Sequence, residues 1–384
     1  MATGTLETAK ATNHLRDLMN YGQSIWLDYI RRDLFTSGEL ERLLEEDGLR
    51  GMTSNPAIFE KAIAGSSDYT DVLQSLASRT DLDAKARYEI LAIRDIQDAA
   101  DVLRPVYVNS KRRDGYVSLE VSPYLARDTE ATLDEAHRLW KAVRRENVMI
   151  KVPGTAEGIP AFERLTSEGI NINVTLLFSQ EVYEKVAEAY IAGLEQLLGR
   201  GGDVSRIASV ASFFVSRIDS SIDSIVGARL RTSQDPHAQE QLKSLLGKVA
   251  VANAKQTYQR YRRIFSGKRW EALATRGAQT QRVLWASTST KNPSYSDVLY
   301  VEELIGRDTV NTIPPATLDA FRDHGRPRAS LTEDLASADK TMQTVATLGI
   351  SMKEVTDKLT DEGVRLFAEA FGKLLGAVDK SIKF

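Results

Sequence analysis

Eight short apolar runs recur along this 384-residue chain, nearly all of them separated by segments of helical spacing. They span residues 24–29, 49–56, 115–123, 148–155, 170–178, 207–217, 282–288 and 310–314. Runs of this length, rich in Val, Ile and aromatic residues and bounded by Gly, Pro or Asn, read as strands. Strands that alternate with helices pair in parallel and are covered on both faces. Eight such units argue for a closed (β/α)8 barrel of the TIM type, an α/β fold. A doubly wound open sheet is the alternative. It would more often carry a Gly-rich phosphate turn after its first strand, and neither G-x-G-x-x-G nor a Walker sequence occurs.

No linker is long enough for a split and no short-period repeat is present, so residues 1–384 are read as one barrel domain. Residues 1–13 look like a loose lead-in. Residues 57–104 and 219–265 look mostly helical, and the basic cluster Arg260, Arg262, Arg263 reads as a solvated helix face. Residues 331–347 and 351–380 form two closing helices, which could fold over the barrel mouth or pack outside it.

Composition narrows the chemistry. A net charge of −3 offers no general attraction to nucleic acid or an acidic membrane. No apolar run approaches a membrane span, and the N-terminus lacks an export pattern, so the expected setting is the cytosol. There is no cysteine, which removes disulfides, thiolate catalysis and cysteine metal sites together. The four histidines, His14, His137, His237 and His324, lie at no ligand spacing, so no metal and no cofactor is expected. Catalysis must come from Lys, Asp, Glu, Ser, Thr, Tyr, Asn and Arg.

In a (β/α)8 barrel the active site is built at the C-terminal ends of the strands. The polar residues near those ends are Asp28, Asn55, Glu120, Lys151, Asn173 with Thr175, Ser212 with Arg217, and Ser289 with Lys291. Taken singly each has a plain explanation. Asp28 reads as a turn acid, Asn55 before Pro56 as turn chemistry, and Lys151 as a side chain reaching into water. Lys151 stands in Val148-Met-Ile-Lys-Val-Pro, however, where an unpartnered ammonium costs several kcal/mol. The alternative is a neutral amine in an apolar pocket, which is what imine chemistry needs. Glu120 alternates with Val117, Leu119 and Val121 and so points away from them; Asn171, Asn173 and Thr175 share one face by period two.

Polar residues at successive strand ends assemble into one reaction. A neutral Lys151 adds to a ketone, and the protonated imine drains electrons from the adjacent carbon–carbon bond. Cleavage needs a base for the neighbouring hydroxyl, and a carboxylate is at hand. A second carboxylate can supply the dehydration proton through a bound water. Asn55 and Asn173 suit polyol hydroxyls, and Arg217 with Ser212 suits a terminal phosphate. Aldol cleavage requires an imine or a metal to stabilise the carbanion, and these residues offer the imine.

The stretches Met52-Thr-Ser-Asn-Pro56, Ser118-Leu-Glu-Val-Ser122, Ile150-Lys-Val-Pro-Gly-Thr155, Asn173-Val-Thr-Leu-Leu-Phe178 and Ser212-Phe-Phe-Val-Ser-Arg217 together resemble the successive signatures of the transaldolase family, its longer bacterial-type branch. The resemblance implies a metal-free, Schiff-base transferase of the pentose phosphate pathway. It implies transfer of a dihydroxyacetone unit from sedoheptulose 7-phosphate to glyceraldehyde 3-phosphate, giving erythrose 4-phosphate and fructose 6-phosphate. It casts Lys151 as the imine lysine and Asp28 as the acid/base at the cleaved bond. Glu120 and Thr175 would hold the catalytic water, Asn55 and Asn173 the hydroxyls, Ser212 and Arg217 the phosphate, and Phe214 would line the site. Shorter family members place a phosphate-binding arginine after the seventh strand; here Ser287-Thr-Ser-Thr-Lys-Asn292 offers Lys291 instead. The partners implied are sugar phosphates, with a monomer or a homodimer both allowed. Two rival readings are a fructose 6-phosphate aldolase-like lyase and a non-catalytic sugar-phosphate-binding barrel.

Overall fold

The computed structural model describes residues 13–380; the expected lead-in over 1–13 lies, Asn13 apart, outside the described residues. Eight parallel strands close into a barrel in chain order: β1 Gln23–Asp28, β2 Gly51–Thr53, β3 Tyr116–Glu120, β4 Val148–Pro153, β5 Ile172–Leu177, β6 Ser209–Phe214, β7 Arg282–Ala286 and β8 Thr309–Ile313. β8 pairs with β1 from Gln23↔Thr309 to Leu27↔Ile313, which completes the ring. All six residues of β4, of β5 and of β6 are buried, because an all-parallel barrel strand faces side chains inside and helices outside.

The principal helices are α1 Glu39–Glu46, α2 Pro56–Ala64, α3 Ala84–Asn109, α4 Thr129–Val143, α5 Gly158–Ser167, α6 Gln180–Gly199, α7 Ser216–Thr232, α8 Val249–Ile264, α9 Pro315–His324, α10 Leu335–Thr347 and α11 Met352–Lys380. Local chemistry sets their starts. Asn55, Asp83, Asp128 and Ser179 each accept a backbone N–H at the first turn of α2, α3, α4 and α6. Pro56 and Pro315 occupy first-turn positions that have no N–H to lose. Arg260 and Arg263 of α8 pair with Glu181 and Glu184 of α6, so part of the basic cluster laces two outer helices together.

Several boundaries differ from the sequence pattern. The sixth strand stops at Phe214, because Val215 turns out of extended geometry and Ser216 and Arg217 open α7. The stretch 57–104 is three helices, and α3 runs on through Pro105 to Asn109. A short helix at Lys268–Ala274 lies in a segment the pattern left unassigned.

The two ends of the barrel are chemically unlike. At the N-terminal end Arg282 donates to Asp114 at 2.8 Å and to Ser24 at 2.8 Å, a buried ionic plug. The C-terminal end is crossed by α11. Val355, Leu359, Gly363, Phe367, Phe371, Leu374 and Val378 recur every three or four residues and form its buried stripe. A Cβ on Gly363 would lie 2.8 Å from Leu176 at the end of β5, so the helix rides directly on the barrel there. Further along, Phe371 presents edges to Tyr88 and Tyr124, with ring centroids 5.7 and 5.5 Å away. Of the two placements the sequence left open, this long helix takes the one over the mouth. Among the described residues no helix is long and apolar enough to cross a membrane.

Candidate active site

A cavity of about 610 Å³ opens at the C-terminal end of the barrel. Its floor is Lys151 of β4, 5% exposed. In strand register Glu120 lies directly opposite Lys151, and Lys151 opposite Asn173. Adjacent parallel strands are about 4.8 Å apart, so inward side chains at paired positions meet. Lys151 Nζ donates to Glu120 Oε2 at 3.1 Å and to the Ser54 carbonyl at 3.1 Å. The buried lysine is therefore partnered rather than alone, and the two expected escapes, solvent and isolation, are both replaced by an internal ion pair. Burial pushes the Glu120 carboxyl above its usual range, Lys151 pulls it back, and Asp28 adds to the rise.

Asp28 ends β1 on another side of the cavity. Thr53 Oγ1 donates to Asp28 Oδ1 at 2.7 Å, and Thr312 Oγ1 lies 2.6 Å from Thr53 Oγ1. With the Thr53 proton committed to the carboxylate, Thr312 must donate to Thr53. This chain holds Oδ1 and leaves Oδ2 for a ligand. Burial raises the Asp28 carboxyl; the Thr53 hydrogen bond and the charges of Lys151 and Lys291 work against the rise. The two carboxylates thus have different surroundings, one ion-paired and one hydroxyl-bonded. That separation is how a site assigns two carboxyl groups different proton-handling duties.

On β5, Asn173 and Thr175 both turn inward, as the period-two pattern expected. Asn173 is fully buried: its Nδ2 donates to Ser118 Oγ at 3.0 Å and its Oδ1 accepts from Ser212 Oγ at 2.7 Å. It does not itself line the cavity, whereas Ser212 above it does. Asn171, the third residue of that pattern, bonds backbone groups just before β4 and β6, donating to the Glu146 carbonyl and accepting from Ala208 N at 2.9 Å. Thr175 lines the cavity, and its buried Oγ1 has no hydrogen-bond partner. An unmatched buried hydroxyl costs about 1–3 kcal/mol, which a ligand or water oxygen would recover. The β5–β6 register shifts between Val174 and Leu177, and Leu176 has φ +62°. A bulge of this kind re-aims side chains at a strand end.

Asn55 lines the cavity while its Oδ1 caps α2 through Ile58 N at 3.0 Å, so its amide N–H groups are what it can offer a ligand. Opposite stands a cationic wall. Arg217, in the first turn of α7, has its guanidinium 5.4 Å from the Phe214 ring centroid. Among the described residues it makes no hydrogen bond or salt bridge. Burial lowers its tendency to hold charge, with Glu362 of α11 acting in the other direction. Lys291 donates to Ser289 at 2.7 Å; burial and the Arg217 charge lower it, Asp28 raises it, and Lys61 lowers it further. Cations gathered with so few counter-charges are suited to a multiply charged anion. The loop bearing Ser289 and Lys291 is tethered to α7: Tyr295 donates to Asp223 at 2.7 Å and Tyr300 to Asp219 at 2.9 Å. Burial pushes Asp219 up to about 6.

The sequence reading passed over several cavity residues. Lys61 projects from α2, and only its place six residues beyond Asn55 on the same helix could have suggested it. Thr53 ends β2 and Thr312 is next to last in β8, so both could have been found by the same rule that found Asp28. The Ser54 carbonyl is backbone and leaves no signal. Phe367 comes from α11, far away in sequence, with its ring centroid 5.5 Å from Lys151 Nζ. Among the described residues no cluster of three or more His, Asp or Glu side chains is arranged to hold a metal ion.

The chain is similar to known proteins over nearly its whole length. The family model described as "Transaldolase/Fructose-6-phosphate aldolase" matches residues 25–378. A transaldolase of Trichodesmium erythraeum is 48% identical over 376 residues, 97% of this chain and 98% of the relative. "Transaldolase 2" of Nostoc punctiforme is 50% identical over the same shares. A transaldolase of Neisseria gonorrhoeae is 45% identical over 361 residues, 94% of this chain and 98% of the relative.

Proposed function

The chain belongs to the transaldolase/fructose-6-phosphate aldolase family, and from that membership we propose how its own residues divide the reaction. The activity is that of a transaldolase, a transferase of aldehyde and ketone groups. The donor is sedoheptulose 7-phosphate and the acceptor glyceraldehyde 3-phosphate. The observation that carries the assignment is the pairing of the cavity-floor Lys151 with Glu120 behind it at 3.1 Å, with Asp28 held separately by Thr53.

Proton transfer from Lys151 to Glu120 leaves an amine that adds to the donor carbonyl carbon. The carbinolamine oxygen then departs as water, taking the proton back from Glu120 through a water that Thr175 Oγ1 helps to hold. Asp28 removes the proton from the hydroxyl on the far carbon of the bond to be broken. That oxygen becomes the aldehyde of the leaving aldose, the carbon–carbon bond breaks, and its electron pair moves onto the imine nitrogen. The three-carbon enamine stays on Lys151. It attacks the acceptor aldehyde, Asp28 returns its proton to the new alkoxide, and hydrolysis frees the product. Asn55 holds sugar hydroxyls; Asn173 acts by orienting Ser212 beneath them. Arg217 and Lys291 take the phosphate, Ser212 keeps its proton on Asn173 and accepts from a sugar hydroxyl, and Phe214 supports Arg217 from its ring face.

The test is to treat the protein with fructose 6-phosphate and borohydride and map the adduct by mass spectrometry. Labelling on Lys151 is expected; labelling elsewhere, or none, would sink the imine. Donor consumption without an acceptor at a rate comparable to transfer would favour the lyase reading. The same reading carries a single barrel domain, a cytosolic setting, and a monomer or homodimer acting on free sugar phosphates.

A further inference from the structure

We propose that Phe367, on the helix that crosses the barrel mouth, sets the choice between transfer and hydrolytic release by keeping bulk water from the enamine carbon. The inference rests on the imine reading above. The Phe367 ring lines the cavity, is 7% exposed, and stands 5.5 Å from Lys151 Nζ. It is held there from both sides along the helix. One turn before it, Gly363 lies against Leu176, where any side chain would collide at 2.8 Å. One turn after it, Phe371 is gripped by Tyr88 and Tyr124. Beyond Gly363, Asp361 pairs with Arg127 of the barrel's outer layer. A ring fixed this closely cannot swing clear without moving the helix.

The enamine left on Lys151 after cleavage has two fates. Attack on an aldehyde forms a carbon–carbon bond, and Asp28 supplies the proton to the resulting alkoxide. Alternatively, water gives a proton to the enamine carbon, leaving hydroxide and an iminium. Hydroxide adds to that iminium, the carbon–nitrogen bond breaks, and dihydroxyacetone leaves with Lys151 restored. Both routes balance, and they differ in whether water reaches the enamine carbon. Closing a site against water suppresses such side reactions. An apolar ring over the nitrogen also suits the positive iminium that precedes cleavage.

The experiment compares wild type, Phe367→Ala and Phe367→Leu. With fructose 6-phosphate alone, dihydroxyacetone release is followed by mass spectrometry; with erythrose 4-phosphate added, transfer is followed by sedoheptulose 7-phosphate formation. Phe367→Ala should raise the ratio of release to transfer on the order of tenfold by opening the enamine carbon to bulk water, while borohydride still labels Lys151. Phe367→Leu keeps an apolar cover and should raise the ratio less. If Phe367→Ala does not fold, the smaller rise in Phe367→Leu carries the same decision. A ratio unchanged from wild type in the folded variants overturns the proposal even with labelling intact. Absence of labelling in the wild type would instead overturn the imine reading beneath it.

Discussion

Replacing Lys151 by Met tests the ion pair on the cavity floor through stability rather than rate. Lys151 is the cation in contact with Glu120, and both side chains are 6% exposed. At 3.1 Å and an effective dielectric of about 20, two unit charges attract by about 5 kcal/mol. Breaking a buried pair from one side typically costs about 3–5 kcal/mol, because the remaining charge is stranded. Glu120 escapes that cost by taking a proton. Its carboxyl already stands above the ordinary value of 4.5 through burial, and loss of Lys151 raises it further. A carboxyl raised in the fold contributes stability that is complete below its unfolded value and is lost as pH rises through its folded value. The variant's deficit relative to wild type should therefore be small near pH 4.5 and grow with pH. The steepest growth is about 1.4 kcal/mol per pH unit for one proton, up to a ceiling near 5 kcal/mol. Urea unfolding of both proteins between about pH 5 and pH 8 measures it. Adding Glu120→Gln to Lys151→Met should abolish the extra slope. A deficit that does not change with pH, or a slope that survives in the double variant, would refute the assignment of a stranded Glu120.

The remaining predictions concern the substrate side of the cavity. The acidic limb of the kcat/KM profile should lie above the ordinary carboxylate range, since the base must be ionised and burial raises Asp28. Thr53→Val removes the hydrogen bond that restrains this rise, so the limb should move to still higher pH; a limb that stays in place would show that Asp28 is not the base. Arg217→Ala should raise KM for phosphorylated sugars roughly ten- to hundredfold, the worth of hydrogen bonds to a charged group. Lys291→Ala should do less, because Lys291 already donates to Ser289. If Arg217→Ala altered the kinetics of neither sugar phosphates nor free dihydroxyacetone, the phosphate role would be wrong.

The residues that carry the proposed chemistry could be found without coordinates because each sits at the end of a strand with a strong local pattern. β-branched residues on both sides of Lys151 mark β4, and period two turns Glu120 inward with Ser118. Once the strands are counted to eight, closure brings their ends together, and Glu120 opposite Lys151 follows from parallel register. Other features were misread where helix and strand propensity compete. The apolar run through Phe213, Phe214 and Val215 looks like strand to its last residue, but Val215 turns out of extended geometry and α7 begins at Ser216. Arg217 consequently lies on a helix beside the cavity, not on a strand within it.

What sequence alone determined, then, is the barrel and the candidate groups at its mouth, since both depend on short-range periodicity and on side-chain chemistry at strand ends. Only tertiary structure decided how those groups are tuned and covered. The Ser54 carbonyl and the Thr312–Thr53–Asp28 chain exist only when separate strand ends meet, as does the partnering of Asn173 with Ser118 and Ser212. The roof is the most remote case. Phe367 is a regular member of an amphipathic stripe, which requires a partner surface but does not name it; contact with Leu176, Tyr88 and Tyr124 selects the barrel mouth as that surface and so places a ring above the lysine.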